Sequence, residues 1–150
     1  MGLDMYLSKK IYIGAHYEHN KVTGEITIKK NGELVKINLN KVSEVTERVG
    51  YWRKANHIHS WFVKNVQNGE DDCKEYTVEK EQLGELLDLC TLVLKDHSLA
   101  SQLLPTEEGF FFGSTDYDEY YYSDLADTVK ILTEVLKDQD YCEYTYQSSW

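Results

Sequence analysis

The stretch Tyr51–Val66, YWRKANHIHSWFVKNV, constrains the fold of this chain more than any other. Wound at about 100° per residue, it sends Tyr51, Ala55, Ile58, Phe62 and Val66 to one side, with Trp52, His59 and Val63 at the margin. That side belongs in a core. The opposite arc collects Arg53, Asn56, His57, Ser60 and Lys64, with Lys54 and Trp61 on its border, so the pattern predicts a helix with one basic and aromatic ridge. Histidines 57 and 59 lie about 200° apart on such a helix and cannot share a metal ion. His59 falls toward the core, whereas His57 falls on the exposed arc.

The charge around this ridge is uneven. Through Val66 the chain carries 11 Lys and Arg against 6 Asp and Glu, and from Gln67 onward 5 against 20, which together give the net charge of −10. A balance of this sign excludes a general binder of extended nucleic acid, whose phosphates need clustered cations. The two halves can attract each other within one fold, or each can face its own partner.

At 150 residues, the length fits a single domain, 1–150, with a substantial core, and no linker or repeat suggests a second. No apolar run approaches a membrane span. Three cysteines, Cys73, Cys90 and Cys142, form no CxxC pair and no apolar leader precedes them, so free thiols and a cytoplasmic location are expected.

Ahead of the predicted helix the pattern is β-rich. Met1–Ile13 alternates as a strand. Asn31-Gly32 is the strongest hairpin signal and joins runs at Glu25–Lys30 and Glu33–Asn38. Beyond the helix, a polar loop at 67–74 leads to a helix that Thr77 can cap, with Leu83, Leu86, Leu87, Cys90, Val93 and Leu94 as its stripe. Phe110–Phe112 reads as a short buried strand. Ser123 reads as the cap of a last helix whose inner face holds Leu125, Val129, Leu132, Val135 and Leu136, and Tyr141–Gln147 returns to β pattern. The sum is an α+β fold: an antiparallel sheet built from N-terminal hairpins and C-terminal strands, with about three helices on one face.

The segments YWRKANHIHSWFV, VQNGEDDC, FFFGSTDYDEYYY and terminal YQSSW resemble, over most of the chain, a family of small uncharacterised proteins of bacteriophages, prophages and their bacterial hosts. The resemblance implies a context, that of an accessory protein which inhibits host enzymes, mimics DNA or sequesters nucleotide signals. It implies no catalytic residue.

Chemistry is legible mainly as binding. No P-loop, GxGxxG or GxSxG occurs, Cys90 faces the core, the adjacent acids Glu70, Asp71 and Asp72 read as a solvated surface, and DYDEY fails the calcium-loop pattern at Tyr120, so no catalytic residue, metal or cofactor is assigned. Arg53, Lys54, His57 and Lys64 can donate to an anion; Trp52, Trp61 and Tyr117 offer surfaces for stacking, and Asp118 stands beside them. The leading expectation is a binding protein for a nucleotide-like or other small anionic ligand. An acidic inhibitor of a host protein or a DNA mimic, using Asp116, Asp118, Glu119, Asp124 and Asp127, is the alternative, and an enzyme of unrecognised type built on Arg53, His57, His59 and Asp118 is the third. An exposed aromatic patch would also favour self-association into a homo-oligomer.

Overall fold

The computed structural model describes residues 2–14 and 16–150. Its central sheet is antiparallel with strand order β4-β1-β6-β5, formed by β1 (Asp4–Tyr12), β4 (Glu44–Arg53), β5 (Tyr76–Val78) and β6 (Glu143–Ser149). A separate ladder pairs β2 (Thr27–Lys30) with β3 (Glu33–Lys36). The helices are α1 (Asn56–Asn65), α2 (Lys80–Lys95), the short α3 (Ala100–Leu103) and α4 (Glu119–Lys137). The fold is α+β, as the sequence leads one to expect.

Register explains why one face of the sheet is covered. Met5, Leu7 and Lys9 on β1 stand opposite Trp52 and Gly50 on β4 and Ser148, Tyr146 and Tyr144 on β6, and all of these are buried. The helices cover that row. Phe62 of α1 stacks flat on Tyr146 at 3.8 Å between ring centroids, and Trp52 donates its indole N–H to Thr128 of α4 at 2.8 Å. The alternate residues, Tyr6, Tyr51 and Arg48, meet on the uncovered face. Lys9 is buried at the foot of α4, where it pairs with Asp138 and, at 2.9 Å, with Asp140, and these bonds raise its pKa.

Several elements differ from the sequence expectation. Tyr51, Trp52 and Arg53 belong to β4, so the helix starts at Asn56. Both patterns suit this segment, and pairing decides: Met5 lies opposite Trp52 and Tyr6 opposite Tyr51, and period-two alternation buries Trp52 while exposing its neighbours. The last helix starts at Asp118, whose carboxylate accepts from the N–H groups of Tyr120 and Tyr121, rather than at Ser123. Glu79, in a reciprocal box with Gln82, caps α2 in place of Thr77, which lies in β5. Phe110–Phe112 forms no strand; Phe110 is 95% exposed, and the segment is held by the Leu3 N–H donating to the Phe111 carbonyl at 3.1 Å. The expected hairpin forms at Asn31-Gly32, both residues having positive φ, but it stands outside the main sheet with all its strand residues exposed.

The pairing of β1 with β4 shifts by one residue between Leu7 and Ser8, which places Gly50 directly under α4. A Cβ at Gly50 would lie 2.9 Å from Ile131 Cγ2 and 3.2 Å from Leu7 Cβ. Gly50→Ala should therefore lower stability by about 1–3 kcal/mol through overpacking, read as a reduced denaturation midpoint with an unchanged slope.

Candidate functional site

Helix α1 is buried on nearly its whole circumference. Asn56, His57, Ile58, His59, Ser60, Trp61 and Phe62 are all buried, so the expected basic ridge does not exist as one surface. The reason is that the segment Pro105–Asp118 folds across the side that the periodicity assigned to solvent. Asn56 holds it there. Its amide donates to the carbonyls of Phe112 at 3.0 Å and Ser114 at 2.8 Å, and its side-chain oxygen accepts from the Glu107 N–H at 2.9 Å.

Two cavities flank the pinned segment. The larger, about 620 Å³, lies between α1 and the segment's first half, and its walls include His59, Val63, Phe111, Phe112 and Trp150. Phe112 meets the His59 ring edge-on at 5.2 Å and the Trp150 ring at 6.4 Å. Lys64 is the single Lys or Arg among its lining residues, against Asp71, Glu107 and Glu108, and its ammonium lies 3.5 Å from Glu107. Beneath the cleft, His59 bridges Asp71 at 2.9 Å through Nε2 and Tyr146 at 2.8 Å through Nδ1. A carboxylate only accepts, so Nε2 carries a hydrogen, and in the neutral ring Nδ1 then accepts from the Tyr146 hydroxyl. Asp71 also accepts from the Trp150 indole at 3.1 Å, and this bond fixes the ring at the cleft mouth.

The smaller cavity, about 270 Å³, lies on the other side. Arg53, Lys54, Asn56, His57, Asp118 and Asp124 are among its lining residues. Lys54 reaches it from a left-handed backbone conformation, φ +58°, at the strand-to-helix corner. His57 is 3% exposed and its ring sits 4.2 Å from that of Tyr121. Burial lowers its pKa to about 3. Asp124, 3.9 Å from His57 Nε2, has its pKa raised to about 7, first by burial and then by repulsion from Asp127 and Asp118.

The sequence-predicted ligand residues are thus divided. Arg53, Lys54, His57 and Asp118 meet at the smaller cavity and Lys64 borders the larger. Trp52 and Trp61 are core, Trp61 lying edge-on against Phe62, because the strand and the buried helix carry them inward. Tyr117 packs on Tyr121 and accepts from the Thr106 N–H. Sequence reasoning missed Asn56 as an anchor and the His59–Asp71 pair, and it named Asp124 only among the acids of the inhibitor reading, not beside His57. For Asp124 a signal existed: it sits one turn from Tyr121 and Thr128, beside Leu125, at the edge of an apolar stripe. Among the described residues no cluster of three His, Cys, Asp or Glu is placed to hold a metal, and no helix is long and apolar enough to cross a membrane. Cys73, Cys90 and Cys142 are free thiols, with Cys90 pushed up to about 12 by burial.

Compared with protein-family models, curated proteins and solved structures, the chain finds no match in any of the three.

Removing the anchor should be costly. Asn56→Ala leaves two carbonyls and one N–H short of their partner and is expected to destabilise by about 2–4 kcal/mol, with faster amide exchange across residues 107–114. The buried pair generates a second expectation. Between pH 4 and 6.5, roughly, unfolding protonates His57, whose folded pKa is depressed, and ionises Asp124, whose folded pKa is raised, so the two pH dependences cancel. Asp124→Asn removes one of them, and stability should then fall relative to the parent as pH is lowered, by up to about 1 kcal/mol per pH unit. His57→Gln should reverse the sign, so that stability falls as pH rises; chemical denaturation across this range reads both slopes.

Proposed function

We propose that this is a non-enzymatic binding protein that holds a small flat aromatic ligand in the larger cleft, stacked among Phe111, Phe112 and Trp150. The observation that carries the reading is the cleft itself: about 620 Å³, walled by aromatic rings and open at a rim of polar groups. That volume falls within the ~300–1,000 Å³ range usual for small-molecule sites, and mostly apolar walls with a few convergent polar groups are their usual make-up. Stacking on such rings is worth about 1–3 kcal/mol per base and tolerates many ring systems.

Charge refines the ligand class. With Glu107 and Glu108 at the rim and Lys64 beside Glu107, the cleft offers acceptors for a ring bearing N–H donors and little to hold a polyphosphate. An amino-substituted heteroaromatic, of the nucleobase or nucleoside kind, suits it better than the phosphate-bearing ligand that a basic helix face would take. An accessory role in a phage or prophage setting is consistent with a protein that captures such a molecule.

A thermal-shift screen with nucleobases, nucleosides and nucleotides tests the proposal. A ligand at about 100 times its Kd should stabilise the fold by about 2.7 kcal/mol. Trp150→Ala, at a partly exposed position, should cost about 1–3 kcal/mol of binding while the unliganded protein stays folded. Arg53→Ala, outside the cleft, should leave the shift intact. Absence of any shift, or a shift that survives Trp150→Ala and Phe111→Ala, would overturn the reading and direct attention to protein partners of the acidic half.

A further inference from the structure

The smaller cavity carries an inference that does not depend on the aromatic cleft. Its lining carries charge of both signs. Arg53 and Lys54 belong to it, and neither has a carboxylate within ion-pair distance among the described residues. His57 belongs to it as well, and its Nε2 is buried and has no hydrogen-bond partner among the described residues. A buried polar nitrogen without a partner costs free energy comparable to a lost hydrogen bond, and such atoms are scarce in folded proteins.

Geometry says what could satisfy it. The Asp124 carboxylate lies 3.9 Å from His57 Nε2, too far for a direct hydrogen bond. Two atoms at that separation can both bond a single nitrogen placed about 2.8–3.0 Å from each. In the tautomer with its hydrogen on Nδ1 the neutral ring accepts at Nε2, and an ionised carboxylate only accepts, so a donor seated between them in that state has to serve two acceptors. An ammonium group meets this condition. Asp116 and Asp118, which also line the cavity, add to the attraction for positive charge. Both α1 and α4 border the space, α1 through Asn56 and His57 and α4 through Tyr120 and Tyr121 in its first turn and Asp124 in its second. Arg53 and Lys54 favour a carboxylate nearby.

We propose that this cavity is a second ligand site that takes a small zwitterion of the α-amino-acid class, its ammonium between His57 Nε2 and Asp124 and its carboxylate toward Arg53 and Lys54. The volume of about 270 Å³ is below the range of drug-sized pockets and suits a molecule of this size. Burial raises the pKa of Asp124, and an ammonium beside it would draw the carboxyl back to its charged form while the neutral His57 accepts.

The test is an NMR titration of isotope-labelled protein with the protein α-amino acids, using ethylamine and acetate as half-ligands. At least one amino acid should give a saturable shift of the His57 ring signals, and each half-ligand should bind at least about tenfold more weakly. Arg53→Met and Asp124→Asn should each weaken the amino acid by about tenfold or more, with Lys54→Met as a replacement should Asp124→Asn not fold. Trp150→Ala should leave it unchanged, which separates this site from the aromatic cleft. No saturable shift with any amino acid would overturn the proposal, as would ethylamine or acetate binding as tightly as the zwitterion, or site variants that bind like the parent.

Discussion

The side chain of Asn56 is the interaction on which the functional half of the molecule depends. An amide buried to 1% exposure makes three hydrogen bonds here, all to backbone groups of one irregular segment, 107–114. Backbone without regular structure must place its N–H and C=O groups somewhere, and away from water an unmet group costs about 1–3 kcal/mol. Asn56 meets this need at three points, which lets a loop rich in phenylalanine lie against a helix that would otherwise show polar residues to solvent. Both cavities are by-products of that contact. The larger forms where Phe111 and Phe112 stand off α1, the smaller where the chain turns away again at Gly113 and Ser114.

Around this anchor the buried polar groups behave in two ways. His59 is satisfied on both ring nitrogens, by Tyr146 and Asp71, and Asp71 is in turn tied to Trp150, so a network runs from the stacked core under Phe62 to the chain's last residue. Networks of this kind fix a single arrangement of side chains. His57, two residues earlier, has an unpartnered Nε2 and faces a carboxyl whose pKa burial has raised. The contrast follows from helix geometry: about 200° of rotation separates the two rings, so one meets the sheet and the other meets the start of α4. Perturbed ionisation concentrated on one side of a helix, next to a cation in a left-handed backbone conformation, is the pattern that functional cavities show more often than ordinary cores do.

The regular elements were largely legible from the sequence and the site was not. Alternation announced β1, Asn31-Gly32 announced its hairpin, and the stripes of α2 and α4 predicted Leu83, Leu86, Cys90, Leu125 and Leu132 as core. The helix boundary failed at Tyr51–Arg53 because an apolar pair can satisfy the 3.6 and the 2.0 periods over so short a span, and only the pairing of Trp52 with Met5 separates them. His57, Ser60 and Trp61 were misplaced for another reason. A helical wheel locates solvent by residue type, and here polar residues face inward because elements distant in sequence come to meet them, the loop at Ser60 and the start of α4 at His57. Nothing in the local pattern encodes Asn56 reaching Phe112, since that contact spans 56 positions and involves backbone atoms that every residue possesses.

The hairpin set apart from the main sheet has a consequence for how this chain can vary. Strands β1 and β4 are neighbours, and the excursion between them leaves and returns where the Ile13 N–H meets the Ser43 carbonyl at 3.0 Å. None of its described residues joins the hydrophobic core. Replacing some thirty residues by a tight turn would lower the closure entropy cost by only about 2 kcal/mol, so the domain is nearly indifferent to its length. The excursion is an appendage on a complete body: open to insertion, trimming or exchange while the sheet, the anchored loop and both cavities stay as they are.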